Sequence, residues 1–545
     1  MKLLLQYKFP LLFFLFVIFY FVTYGSFGYD DADNGYTLAL SWRIFNHEVP
    51  FRDFIMVRPP LSPIFHALPF YIIPDNYQVI FDRLFTYLLI AFSSLFSAFS
   101  IEKTFRVKEY NLYPWLLATI GFVFSVRNFP NMAWHTVDGV FFASVGIYIL
   151  VCFSSLHSIA LGILFLFFSA LCKQPFYLLP VAGIGFISVV YKDWKKTMLA
   201  VFCLLSFVAI FTMLLYKQNA LLDFVKLTSG STKLKDLIQA GFKNYIFFNY
   251  FYLIIPFIAW FFSSRIPYIK YLFGKKYLVP YVFITFLLLW PISKFMYVLL
   301  FKEVAYRTFF QDEVAKLFFI VTVFLLLKNL SLEKKWITLW FLILVSWCAS
   351  ISWGYQTPSF FSTPLIFGFF LVSIQYFDIR KANCLALYTL LSGTIVYFVA
   401  YQKPYCNPMR YKLNYELSGL FPKLQYIKVG KETFDKYTEF ASLVNKYGTN
   451  FKTLPGMPLA NYITNTNSPI RIDWVFNAET NHEDTAILND LAQKNTVVFL
   501  EKMPQIVKVT NLDAKFSSLV AYVITVNWQK VDSTNYFEVY KPGRK

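Results

Sequence analysis

A chain of 545 residues with a net charge of +19 would point to nucleic acid in a soluble protein, but 57% of this chain is hydrophobic, 21% is aromatic and only 15% is charged. Sixty-six Phe and 38 Tyr far exceed the usage of soluble domains, and apolar runs of membrane length recur from Phe9 to Ala400. What remains is a polytopic helical membrane protein. The positive charge then belongs to loop Lys and Arg that set orientation, and nucleic acid is excluded as a partner.

Lys2 and Lys8 lead into "FPLLFFLFVIFYFVTYG", which no small-x-small cleavage site follows, so it is predicted to be a retained first helix. Next comes Tyr29 to Pro63. It sets Asp30, Asp31, Asp33, Glu48 and Asp53 near the membrane edge and delivers Arg58 ahead of Pro59 and Pro60. Acids crowded against a bilayer need a cation, a base or proton chemistry. Within this stretch "TLALSWRIF" is predicted to lie on the membrane as a short helix, with Leu38, Trp42 and Phe45 toward lipid and Arg43 toward water.

About thirteen spanning helices are predicted over residues 1–400. Lys and Arg gather in alternate loops, which predicts a cytoplasmic N-terminus and puts both the acidic loop (28–79) and the C-terminal tail on the outer side. From about Tyr401 the composition turns polar. Residues 401–545 are predicted to be a small α+β domain, with strands at "NTVVFL", "LVAYVITV" and "YFEVYK". A helix is expected over "KETFDKYTEFASLVNKYG", closed by Gly448, and another over "HEDTAILNDLAQKN", capped near Asp484 or Thr485.

The stretch "DNGYTLALSWRIFNHEVPFRDF…RPPL" resembles the first outer loop of the GT-C glycosyltransferases, multi-pass membrane enzymes that take sugars from polyprenyl-phosphate carriers. Asp33, Tyr36, Pro50, Phe51, Asp53, Arg58, Pro59 and Pro60 stand at the family's positions. Asn34 replaces a frequent second acid, His47 stands near the usual Gly, and Arg58 replaces the commoner Lys. The resemblance implies a GT-C-like fold in a bacterial inner membrane and inverting transfer of a monosaccharide to a lipid, envelope glycan or protein acceptor. It further implies that Tyr36 and Asp53 lie at the substrate.

Each candidate has a chemical and a bland reading. Asp33 is either a general base for the acceptor hydroxyl or a solvated loop acid, with Asp31 the second choice for the base. Arg58 either grips phosphate oxygens in a bidentate fork or snorkels to headgroups. Lys173, in the turn "KQP", either meets the same phosphate or caps a helical hairpin. Arg307, in "FKEVAYRTFFQDE", either joins the phosphate site or belongs to a solvated charge run. Arg127, His135 and Asp138 share one loop. His135 and Asp138, three apart, could join Asp31 in holding Mg or Mn, or could simply be hydrogen-bonded. Trp353 and Tyr355 either stack on a sugar or mark the membrane interface. In the tail, Asp473 and Trp474 either touch an acceptor or are structural.

No GxGxxG, P-loop, HExxH or nucleophile elbow appears, which suits a lipid-linked donor. The rival readings are a transporter or flippase of lipid-linked cargo, and a non-catalytic scaffold. The transporter would favour inverted repeats and broken helices, neither of which is clear in the sequence.

Overall fold

The computed structural model of the protein describes residues 2–30, 33–110, 112–126, 132–229, 239, 241–242, 245, 310–351, 358–377, 382–480, 483–502 and 519–543. Asp31, Arg127, Arg307, Trp353 and Tyr355 lie outside the described residues, as do the predicted span at 278–300 and all but Tyr245 of the one predicted at 245–262.

The N-terminal part is a bundle of apolar helices: α1 (Lys2–Tyr24), α2 (Tyr36–Phe45), α3 (Leu61–Ala67), α4 (Gln78–Phe105), α5 (Pro114–Ser125), α6 (His135–Cys152), α7 (Leu156–Ala170), α8 (Leu178–Tyr191), α9 (Trp194–Lys217) and α10 (Leu221–Thr228). After a gap in the description come α11 (Phe310–Lys328), α12 (Lys334–Ser350), α13 (Thr363–Phe377) and α14 (Ala382–Ala400). Among the described residues, four stretches are long and apolar enough to cross a membrane: Asp75–Phe105, His135–Cys152, Gln174–Tyr191 and Trp194–Lys217. The protein is thus a helical membrane protein by length and composition.

Burial separates central from peripheral helices. The apolar window of α4 is 67% buried, against 11% for α9. α4 is therefore the post around which α5 and α6 pack, and α9 leaves its Phe202 and Leu205 exposed, as suits a helix that faces lipid.

Among the described residues the C-terminal region carries two small sheets. β1 (Tyr415–Glu416) pairs antiparallel with β2 (Lys428–Val429). The larger sheet has the order β3 (Phe451–Leu454), β4 (Val497–Glu501), β6 (Phe537–Lys541), β5 (Gln529–Ser533). Only β3 and β4 run parallel; the other pairs are antiparallel. Helix α15 (Lys431–Tyr447) ends at Gly448, whose φ of +81° is the left-handed turn that favours glycine. The short helices α16 (Ala460–Ile463) and α17 (Asn477–Thr480) follow, then α18 (Asp484–Gln493) and α19 (Leu519–Asn527).

Two local expectations are corrected. "LVAYVITV" is not a strand but α19. Val520 and Ile524 fall four residues apart on one face and are fully buried, with α19 packed on α18; that burial outweighs the strand preference of a β-branched run. α18 opens at Glu483 and gains no side-chain cap from Asp484 or Thr485.

The larger correction concerns α2. It does not lie on the membrane: every residue from Tyr36 to Arg43 is buried. Leu38 and Trp42 share a core with Phe440 and Phe499 of the C-terminal region, and Tyr36, Leu40 and Phe54 share another with Val498 and Leu500. Arg43 does not face water. Its guanidinium bonds Asp473 at 2.5 Å, Glu48 at 2.6 Å and the Ile470 carbonyl. Asp473, held on its other side by Lys452 at 3.0 Å, is therefore structural. Backbone bonds join the same parts: Gly28 N–H donates to the Lys428 carbonyl (2.9 Å), Lys428 N–H to Ser26 (2.7 Å) and Ile55 N–H to Arg471 (2.6 Å). Gly35 permits a close approach, since a Cβ there would sit 2.3 Å from Leu459 Cγ. The first loop thus completes the core of the C-terminal region, each buried large side chain contributing about 1.5–3 kcal/mol.

Candidate functional site

Two facing turns build the site. Gln174 Nε2 donates to the Val57 carbonyl at 2.6 Å, and Leu61 N–H donates to the Leu171 carbonyl at 2.9 Å. These bonds bracket Arg58 and Lys173, so the two cations expected from separate loops lie within electrostatic reach of each other. Pro59 and Pro60 stiffen the backbone just after Arg58.

Lys173 is 6% exposed, and its ammonium donates to the Thr136 hydroxyl at 3.0 Å. No described carboxylate pairs with it. Burial, and then the charge of Arg58, push its pKa down to about 7. A buried cation without a counter-charge is costly, and an anion delivered between Lys173 and Arg58 would remove that cost.

Arg58 does have a partner. Its Nη1 and Nη2 donate to Oε2 and Oε1 of Glu479 at 2.8 and 2.6 Å, and the Tyr36 hydroxyl donates to Oε2 at 2.7 Å. The guanidinium also stands 5.1 Å from the centre of the Tyr36 ring. Burial opposes the charge on Arg58, but Glu479 outweighs it and holds the pKa above its ordinary value. Burial and Glu479 likewise keep the Tyr36 phenol protonated. Trp474, from the tail, packs on the Tyr36 ring at 5.6 Å.

Asp33 opens the turn that leads into α2. Its N–H donates to Asp30 Oδ2 at 2.7 Å, and its own Oδ2 accepts from the Tyr405 hydroxyl at 3.3 Å. Burial lifts its pKa to about 6; Tyr405 and Arg58 pull it down, and Glu479 pushes it up. Asp33, Arg58 and Glu479 therefore form one electrostatic group.

His135, at the start of α6, lies within reach of the charges of Arg58 and Lys173 and stacks on Trp134 at 5.0 Å. Asp138 belongs to a different cluster. Its Oδ2 accepts from the Ser62 hydroxyl and its Oδ1 meets His66 Nε2 at 3.1 Å. His66 Nδ1 meets Asp82 Oδ1 at 2.6 Å, and Asp82 Oδ2 accepts from Ala133 N–H at 2.7 Å. This cluster ties α3 to α4 and α6, so Asp138 helps to hold the first loop. Among the described residues no group of three or more His, Cys, Asp or Glu side chains could hold a metal ion, and Asp31 lies outside them. Asp53 accepts from Val49 N–H at 2.7 Å and pairs with Arg52, closing its own turn.

Sequence reasoning missed Glu479, Tyr405 and Thr136. "IDWVFNAE" drew attention to Asp473 and Trp474, but the acid six residues beyond Asp473 is the one that reaches Arg58. No known protein family matches the chain, and no curated protein matches it in sequence.

Proposed function

We propose that this protein is a GT-C-like inverting glycosyltransferase of a bacterial inner membrane, using a polyprenyl-phosphate monosaccharide as donor. The observation that carries the reading is Lys173: a buried ammonium without a described carboxylate partner, beside Arg58, within one site that also contains a carboxyl tuned to about 6. A lipid-borne phosphate supplies the missing anion, and its prenyl tail remains among the apolar helices.

In this reading the acceptor hydroxyl attacks the anomeric carbon in a single displacement. The bond from that carbon to the phosphate oxygen breaks, the leaving phosphate gathers charge on Arg58 and Lys173, and the hydroxyl proton passes to Asp33. The Tyr405 hydroxyl steadies the Asp33 carboxylate. Of the two carboxylates expected to hold a metal, Asp138 accepts from Ser62 and meets His66, and Asp31 lies outside the described residues.

The test is sugar transfer from extracted polyprenyl-phosphate sugars by the purified chain. Asp33→Asn should lose transfer by about a hundredfold or more. Undiminished transfer in that variant removes Asp33 as the base, and no transfer by the unaltered protein from any such donor favours a transporter.

A further inference from the structure

Arg58 and Glu479 form the same two-pronged fork that a guanidinium makes with a phosphate. The carboxylate thus sits on the donor groups that a phosphate would use. Resting on the function proposed above, we infer that Glu479 is an internal anion that occupies Arg58 until a lipid-borne phosphate displaces it.

Three observations carry this. First, exposure separates this pair from the structural pair nearby. The Arg43 and Asp473 side chains are each 3% exposed, whereas the Arg58 side chain is 18% exposed and Glu479 4%, so the arginine of this pair is the less enclosed of the two. Second, the only described group besides Arg58 that bonds the Glu479 carboxylate is the Tyr36 hydroxyl, and a hydroxyl is readily re-partnered with water or a phosphate oxygen. Arg43, by contrast, is held by two carboxylates and a carbonyl. Third, Lys173 lies within electrostatic reach of Arg58 and has no carboxylate partner among the described residues. An incoming phosphate is attracted by both cations, while among the described residues Glu479 bonds Arg58 alone of the two. The exchange therefore favours ligands that engage Arg58 and Lys173 together and rejects weak anions. It also makes one link between the first loop and the C-terminal region depend on donor occupancy.

The test is binding of farnesyl phosphate to the full chain in detergent, by titration calorimetry, with Glu479→Gln, Tyr36→Phe and Lys173→Met. Removing a competing charge should tighten binding in E479Q by about tenfold. Y36F, which loosens Glu479 without neutralising it, should tighten binding by less, and K173M should weaken it. Binding by E479Q alone, with none by the unaltered chain, supports displacement in its strongest form. If the unaltered chain binds and K173M is impaired, but E479Q binds equally or more weakly, the displacement is overturned while the proposed function stands. If neither the unaltered chain nor E479Q binds, the lipid-phosphate reading itself fails. Should E479Q not fold, Y36F decides by the same sign.

Discussion

The Arg58 guanidinium grips both carboxylate oxygens of Glu479, a residue 421 positions further along the chain. The contact joins the loop after the first helix to a four-residue helix near the end of the protein. Around it the backbone of the first loop is hydrogen-bonded to the C-terminal region at Lys428 and Arg471. The candidate base, the candidate phosphate ligands and the tail that closes over them are therefore one folded unit, and changes to any of them should be felt by the others.

Asp33 holds its proton more tightly in the fold than in an unfolded chain, because burial raises its pKa to about 6. Its contribution to stability is therefore greatest at acid pH and is lost as pH rises through about 6. Asp33→Asn should remove that loss and be more stable at about pH 8, by at most ~3 kcal/mol. Under the proposed function, transfer by the unaltered chain should rise with pH through about 6 as Asp33 ionises. Thermal unfolding and a pH–rate profile check the two halves.

Lys173, with its pKa pushed down to about 7, is partly deprotonated near neutrality. A bound phosphate favours the ammonium, so binding should take up a fraction of a proton at about pH 8. Calorimetry of farnesyl phosphate binding in buffers of different ionisation enthalpy measures this uptake. Lys173→Met should abolish it and leave the fold at least as stable, since a buried charge is replaced by an apolar chain of similar length.

Asp473→Ala should strand Arg43 and Lys452 without their shared carboxylate. Breaking a buried pair in this way costs about 3–5 kcal/mol. Because this carboxylate fastens α2 to the tail, limited proteolysis should release the C-terminal region from the variant under conditions where the unaltered chain stays intact.

His66 lies between Asp82 and Asp138. Burial works against its charge, but the two carboxylates prevail and raise its pKa to about 10. The stabilisation is complete below its unfolded value of about 6.5 and is lost as pH rises through about 10. His66→Gln should flatten that alkaline loss, read as the melting temperature across the same pH range.

Much of the molecule was legible from local chemistry. Apolar runs dictate helices because a bilayer leaves backbone groups no other partners, and Gly448 ends α15 because its left-handed backbone favours glycine. Asp33, Arg58 and Lys173 could be picked out singly, as charges whose place beside apolar runs carries a cost. Their grouping was beyond the sequence, since it depends on two turns more than a hundred residues apart meeting edge to edge at Val57 and Gln174. α2 was misjudged for the same reason. An amphipathic helix shows which face is apolar but not what covers it, and here the cover is the tail and not lipid. Glu479 gave no local signal at all: it is one acid in a polar segment, and only the folding of that segment onto the first loop sets it against Arg58.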